Sequence, residues 1–185
     1  MQVKLKSLEC RLYALGFLFC LLGCNSNTGE EGNLVKDDYY EKCKKLVLQE
    51  NNIGQEYVFK IKRKEIDELS VLYLGDIDTK QKRTLKFLCE INFSGQYEDS
   101  KRASSAVSIY DQQNKKIGTY YLSGESDVPT KIENTNLIFD YHNASCDQRT
   151  AIDFKDSIPD HIFIGCTGMG GDIYTFLPAE LQSGQ

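Results

Sequence analysis

Few groups in this chain could do chemistry. Its two histidines are His142 and His161. In strand alternation Asp140 and His142 share a face, and Asp160 directly precedes His161. Such pairs could supply an acid and a base, or two ligands to a metal ion. A zinc site needs a third ligand at a fixed spacing, and neither His-x-x-x-His nor Glu-x-x-His occurs. We therefore read both histidines as solvent-facing residues at strand ends. The Gly-x-Ser-x-Gly signature of a serine nucleophile is absent as well. Glycines 165, 168, 170 and 171 in GCTGMGGD match neither a dinucleotide fingerprint nor a phosphate loop. They read as a flexible β-turn that lets a partner approach closely. Carboxylate pairs such as Glu125 with Asp127 and Asp153 with Asp156 are common because acids are common, so none stands out as a glycosidase pair. The expectation is a protein that is not an enzyme, with no catalytic residues, metal or cofactor.

One side chain does carry a specific chemical expectation. Lys4, Lys6 and Arg11 precede twelve uncharged residues, Leu12 to Gly23, which end at Cys24. A basic start followed by a short apolar run is the pattern of a secretory signal peptide. A spanning helix needs roughly 20 apolar residues, more than this run contains. The ending Leu21-Leu22-Gly23-Cys24 resembles the lipobox of bacterial lipoproteins. That resemblance implies a diacylglyceryl thioether on the Cys24 sulfur, cleavage after Gly23 and acylation of the new amine. A thiolate is the soft nucleophile such a transfer needs. Two or three acyl chains, at about 0.8 kcal/mol per buried CH₂, make a stable membrane anchor. Asn25 stands where inner-membrane retention in a Gram-negative host would favour Asp. The resemblance then implies the outer membrane, facing the periplasm.

The expected organisation is a signal peptide over 1–23, a lipidated cysteine with a polar tether over 24–33, and one globular domain over 34–185. Removing Lys4, Lys6, Arg11 and Glu9 with the signal takes the formal charge from −5 to −7. An acidic domain is unsuited to nucleic acid. The densest basic run, KIKRK at 60–64, is followed at once by Glu65, Asp67 and Glu68. Four cysteines follow Cys24, and an even number in an exported chain points to disulfides. Three pairings are possible. We expect Cys43–Cys89, tying the helix to the sheet, and Cys146–Cys166.

The elements that must hold these residues follow from periodicity. A helix is expected over 33–50, with Asn33 as cap and Val35, Tyr39, Cys43, Leu46 and Val47 on one face. NNIGQ at 51–55 ends it. From there the period is two, with strands over 57–62, 68–77 and 84–93. In the last, Leu85, Phe87, Cys89, Ile91 and Phe93 share a face, and only Leu88 breaks the alternation. Hairpins are expected over 104–124, over 136–142 with 149–154, and over 161–168 with 172–177. The fold class is α+β and mainly antiparallel β, one N-terminal helix packed on a sheet, barrel or sandwich of about eight strands.

Binding surfaces are expected in the loops. Ser94-Gly95-Gln96-Tyr97 resembles the Ser-Gly-x-x-Tyr loop of small exported β-barrel lysozyme inhibitors. It is one residue shorter, and that family's second motif, a Tyr followed by Thr-Lys-Gly, has no counterpart. Ser94, Gly95 and Tyr97 are one candidate contact loop, and Gly168, Met169, Gly170 and Gly171 the other. Tyr110, Tyr120, Tyr121, Tyr141 and Tyr174 lie in the strand region, where tyrosine serves binding surfaces and half-buried strands alike. The function expected is an envelope-anchored, non-catalytic lipoprotein that binds a protein partner, such as an inhibitor or immunity-type protein. The alternative is a structural or assembly lipoprotein, and a small hydrolase ranks below both.

Overall fold

The computed structural model describes residues 30–61, 66–142, 147–166 and 170–182. Helix α1 (Glu30–Glu50) precedes ten strands. These are β1 (Glu56–Lys60), β2 (Ile66–Asp78), β3 (Thr84–Gly95), β4 (Arg102–Tyr110), β5 (Lys116–Leu122), β6 (Lys131–Glu133), β7 (Asn136–His142), β8 (Asp147–Asp153), β9 (His161–Cys166) and β10 (Gly170–Pro178). A single turn, α2 (Ala179–Gln182), follows. All pairings are antiparallel. One sheet has seven strands in the order β1-β2-β3-β4-β5-β10-β9, and the other has β6-β7-β8. The seven-stranded sheet does not close into a barrel. Among the described residues, no helix is long and apolar enough to cross a membrane.

Local chemistry sets the boundaries. Asn51 adopts φ 53° after α1, a left-handed position that asparagine tolerates, and Gly54 follows at φ 75°. The β4–β5 turn closes on Asp111, whose Oδ1 accepts from the amides of Gln113 at 2.9 Å and Lys115 at 2.8 Å, with Asn114 left-handed at φ 61°. The helix spans Glu30–Glu50, beginning before the Asn33 expected to cap it. All three expected hairpins are formed. The three-residue β6 was not expected, because a strand so short shows no alternation.

The large sheet is covered on both faces, by different layers. On one face, Leu85, Phe87 and Cys89 of β3 join Val107, Ile109, Tyr120 and Leu122, and meet Leu137 and Phe139 of β7. Phe154 fills the gap between the sheets, its ring edge-on to Phe87 at 4.9 Å between centroids. On the other face, Tyr40, Cys43, Val47 and Leu48 of α1 pack on Tyr57, Phe59, Leu69, Val71, Tyr73 and Leu88. Leu88, the break in the alternation of β3, is thus the residue that β3 gives to the helix.

A bulge lets β2 serve both layers. Leu69, Val71 and Tyr73 face the helix, and strict alternation would send Ile77 there too. The register shifts between Tyr73 and Gly75, Gly75 takes φ 123°, and Ile77 turns into the core between the sheets.

Two expectations are corrected. The buried stripe of α1 runs through Tyr40, Cys43, Lys44, Val47 and Leu48, whereas Leu46 is only half-buried and Tyr39 packs at its margin. Cys43 and Cys89 are thiols and do not form the expected disulfide. The reason is geometric: Cys43 lies under the helix, and Cys89 points through the opposite face of the sheet. Cys166 is disulfide-bonded, and its expected partner, Cys146, lies outside the described residues.

Burial pushes the Cys89 thiol up to about 12, with Glu90 and Glu56 adding to it, so almost no thiolate exists near neutral pH. Cys43 and Cys89 should therefore resist maleimide in the native protein and react fully after unfolding without reductant. Peptide mapping checks this, and recovery of a cross-linked Cys43–Cys89 peptide would contradict it.

Candidate functional site

Helix α1 packs over one end of the large sheet and leaves the same face open over β3, β4 and β5. Strand alternation aims Glu90 and Asn92 of β3 at that open face. Register sets Glu90 opposite Ala106 and Asn92 opposite Ser104, and in turn Ser108 opposite Thr119 and Ala106 opposite Tyr121. The β4 residues in the middle are small. With Tyr40, Glu41 and Lys44 of α1 as the wall, they leave a cleft of about 740 Å³. That lies within the roughly 300–1,000 Å³ usual for small-molecule sites.

Charge in the cleft is balanced. Lys44, with a side chain only 9% exposed, sits 3.2 Å from Glu90 and also pairs with Glu41. Burial pulls the Lys44 ammonium down, but the charges and hydrogen bonds of Glu90 and Glu41 more than offset it, and its pKa is raised. Lys116 lies 3.9 Å from Glu41. Burial and the neighbouring Lys44 lower its pKa against the pull of Glu90 and Glu41.

Two buried polar atoms at this site have no hydrogen-bond partner among the described residues, Glu90 Oε1 and Asn92 Oδ1. Both belong to residues lining the cleft. Tyr110 lines an adjoining hollow that shares Glu41 and Lys116 with it. Burial raises the Tyr110 pKa, Glu90 and Glu41 raise it further, and an interaction with Ser108 opposes them. A buried polar atom left unpaired costs about 1–3 kcal/mol, so two beside one cavity call for an explanation.

Beyond β5 the same face changes character. Thr119 pairs with Leu177, and Ile173 of β10 pairs with Phe163 of β9. Tyr121, Phe163, Ile173 and Leu177 are exposed by 54%, 55%, 69% and 39%. Leu181 of α2 is exposed as well. Large side chains of this kind are normally buried or partnered.

The residues singled out by sequence fall elsewhere or at the margins. Asp140 and His142 lie on the outer face of the small sheet, because Leu137 and Phe139 take the inner one. His142 binds Asp147 at 2.8 Å and Asp140 at 3.2 Å. His161 lies on the outer face of the large sheet, 3.0 Å from Thr175 Oγ1. The core separates the two histidines. Among the described residues, no group of three His, Cys, Asp or Glu could hold a metal ion. Ser94 and Gly95 end β3, where a Cβ on Gly95 would lie 2.8 Å from Lys101 Cα. Tyr97 beyond them is 71% exposed. Gly170 and Gly171 open β10, while Gly168, Met169 and Cys24 lie outside the described residues. The strand directions bring Ser94 and Gly95 to the same end of the large sheet as Gly170 and Gly171. Tyr110 and Tyr120 are wholly buried, Tyr174 nearly so and Tyr141 half-buried, leaving Tyr97 and Tyr121 as the surface tyrosines of the expected set.

Sequence reasoning missed Lys44 and Glu90. The available signal was Lys44 at four residues from both Tyr40 and Leu48, a charge within an apolar stripe.

Lys44→Met should cost on the order of 3 kcal/mol by stranding Glu90, and adding Glu90→Gln should recover part of that loss. Urea unfolding of the single and double variants measures this, and strictly additive losses would refute the coupling. His142 should titrate above its ordinary 6.5, because Asp147 and then Asp140 favour the imidazolium. Its stabilising contribution is complete below 6.5 and fades as pH rises through the elevated folded value. NMR titration of Asp147→Asn should show the value falling. No family model, curated protein or solved structure matches the chain.

Proposed function

We propose that this chain is an envelope-anchored, non-catalytic lipoprotein that binds a protein partner through the outer face of β5, β10 and β9. The observation that carries the reading is the apolar set Tyr121, Phe163, Ile173 and Leu177 on one sheet face, exposed to solvent. Register sets Phe163 directly opposite Ile173, with His161 and Thr175 as the polar pair on the same face. Gly170 and Gly171 open β10 at one end of this sheet, and the Ser94–Tyr97 segment lies at the same end. Acidic Glu98, Asp99 and Asp172 near these segments suit a basic partner. The resemblance of Leu21–Cys24 to a lipobox supports anchoring through lipid on Cys24. An inhibitor or immunity-type role is the first form of this reading, and a structural or assembly lipoprotein the second.

The test is capture of partners from detergent-solubilised envelope, with wild-type protein beside a Phe163→Ser/Ile173→Ser variant. Both positions are exposed, so the fold should persist. Wild type should retain a partner through a salt wash and the variant should lose it. Equal retention by both would overturn the assignment of this face. A stoichiometric toxin or wall hydrolase identifies the inhibitor form, and a set of resident envelope components the assembly form. Cys24→Ala should abolish palmitate labelling and release the protein from membranes.

A further inference from the structure

We propose that the cleft between α1 and strands β3–β5 binds a neutral, hydroxyl-rich saccharide of more than one ring. This second site does not rest on the anchoring reading, and it shares only Tyr121 with the apolar face.

Four properties of the cleft select that chemistry. The charges within it are already matched, Lys44 with Glu90 and Glu41, and Lys116 beside Glu41. A ligand bearing net charge would leave one of these groups uncompensated in a partly desolvated space. Glu90 and Asn92 line the cleft, and their unpartnered atoms, Glu90 Oε1 and Asn92 Oδ1, are buried acceptors that a small side-chain rotation would turn toward a ligand bringing donors. Ser104, Ser108 and Thr119 add hydroxyls that donate or accept, and Ser108 and Thr119 already share a 3.3 Å contact. Sugar hydroxyls play both roles and match such a lining. Finally, Tyr121 stands at the border of the cleft with 54% of its surface exposed, offering an aromatic face to the apolar side of a sugar ring.

The cleft volume of about 740 Å³ accommodates more than a single ring. Its walls also fix orientation. The acceptors lie on the β3 side and Tyr121 on the β5 side, so a ligand spanning the cleft presents hydroxyls to one and a ring face to the other.

Maltotriose and chitotriose, added separately to the full chain in a sugar-free zwitterionic detergent, test the proposal by NMR. At least one of them should shift the backbone resonances of Glu90, Asn92, Ser108, Thr119 and Tyr121 in a saturable way. Tyr121→Ala, at a solvent-exposed position, and Asn92→Leu should each weaken that binding roughly tenfold, a change of about 1.4 kcal/mol. Spectra of the variants outside the cleft report whether the fold is retained, and Tyr121→Ala carries the test alone if Asn92→Leu is not folded. Three results would overturn the proposal: shifts that map away from the cleft, affinity unchanged in Tyr121→Ala, or no saturable shift with either sugar. Saturable cleft shifts with the dipeptide Lys-Glu but with neither sugar would replace it with a zwitterion site.

Discussion

Strand β3 must satisfy two different neighbours at once, and the other elements are arranged around that constraint. Its Leu85, Phe87 and Cys89 belong to the core between the sheets, and its Leu88 to the core beneath the helix. Pairing with β2 on one side and β4 on the other holds it centrally, leaving no freedom to rotate either face outward. A slip of one residue would exchange the two sets and ruin both cores together. Because α1 covers only part of the helix-side face, the remaining positions on that face, Glu90 and Asn92, open into the cleft. The same alternation that builds the cores therefore also sets the polar groups of the cavity.

The buried charges make sense in that frame. A lysine on the inward stripe of a helix is costly unless it meets an acid, and Lys44 meets two. The pair does more than compensate for burial. It also ties the helix to β3 directly, with Lys44 Nζ 3.2 Å from a Glu90 carboxylate oxygen. The cleft owes its shape to the small residues of β4. Alanine and serine there keep the floor low, while Thr119 and Tyr121 raise its far margin.

Much of this architecture is legible in the sequence, and the parts that are not have physical reasons. The helix end at Asn51, the alternation of residues 84–93 and three hairpins follow from period and turn chemistry alone. The cleft does not, because Glu90, Asn92, Ser104 and Ser108 look like any solvent-facing set. Only knowledge of where α1 stops on the sheet separates a cavity lining from a surface. The disulfide expectation for Cys43 and Cys89 failed for the same kind of reason. Cysteine counting carries no information about which face of a strand each thiol occupies. The exposed apolar face was hidden too, since Phe163 and Ile173 sit in strands whose alternate residues are equally apolar.

The bulge at Gly75 gives β2 two independent phases. Before it, odd-numbered residues address the helix, and after it Ile77, also odd, addresses the opposite layer. Each half of the strand thus keeps its own count of in and out. A residue gained or lost in the first half would scramble the contacts of Leu69, Val71 and Tyr73 with α1. Beyond Gly75 the pairing of Ile77 with Leu85 keeps its own phase. The strand thus divides its duties by length: the half before the bulge carries the helix layer and lends Leu72 to the core between the sheets, and the half after it serves that core alone.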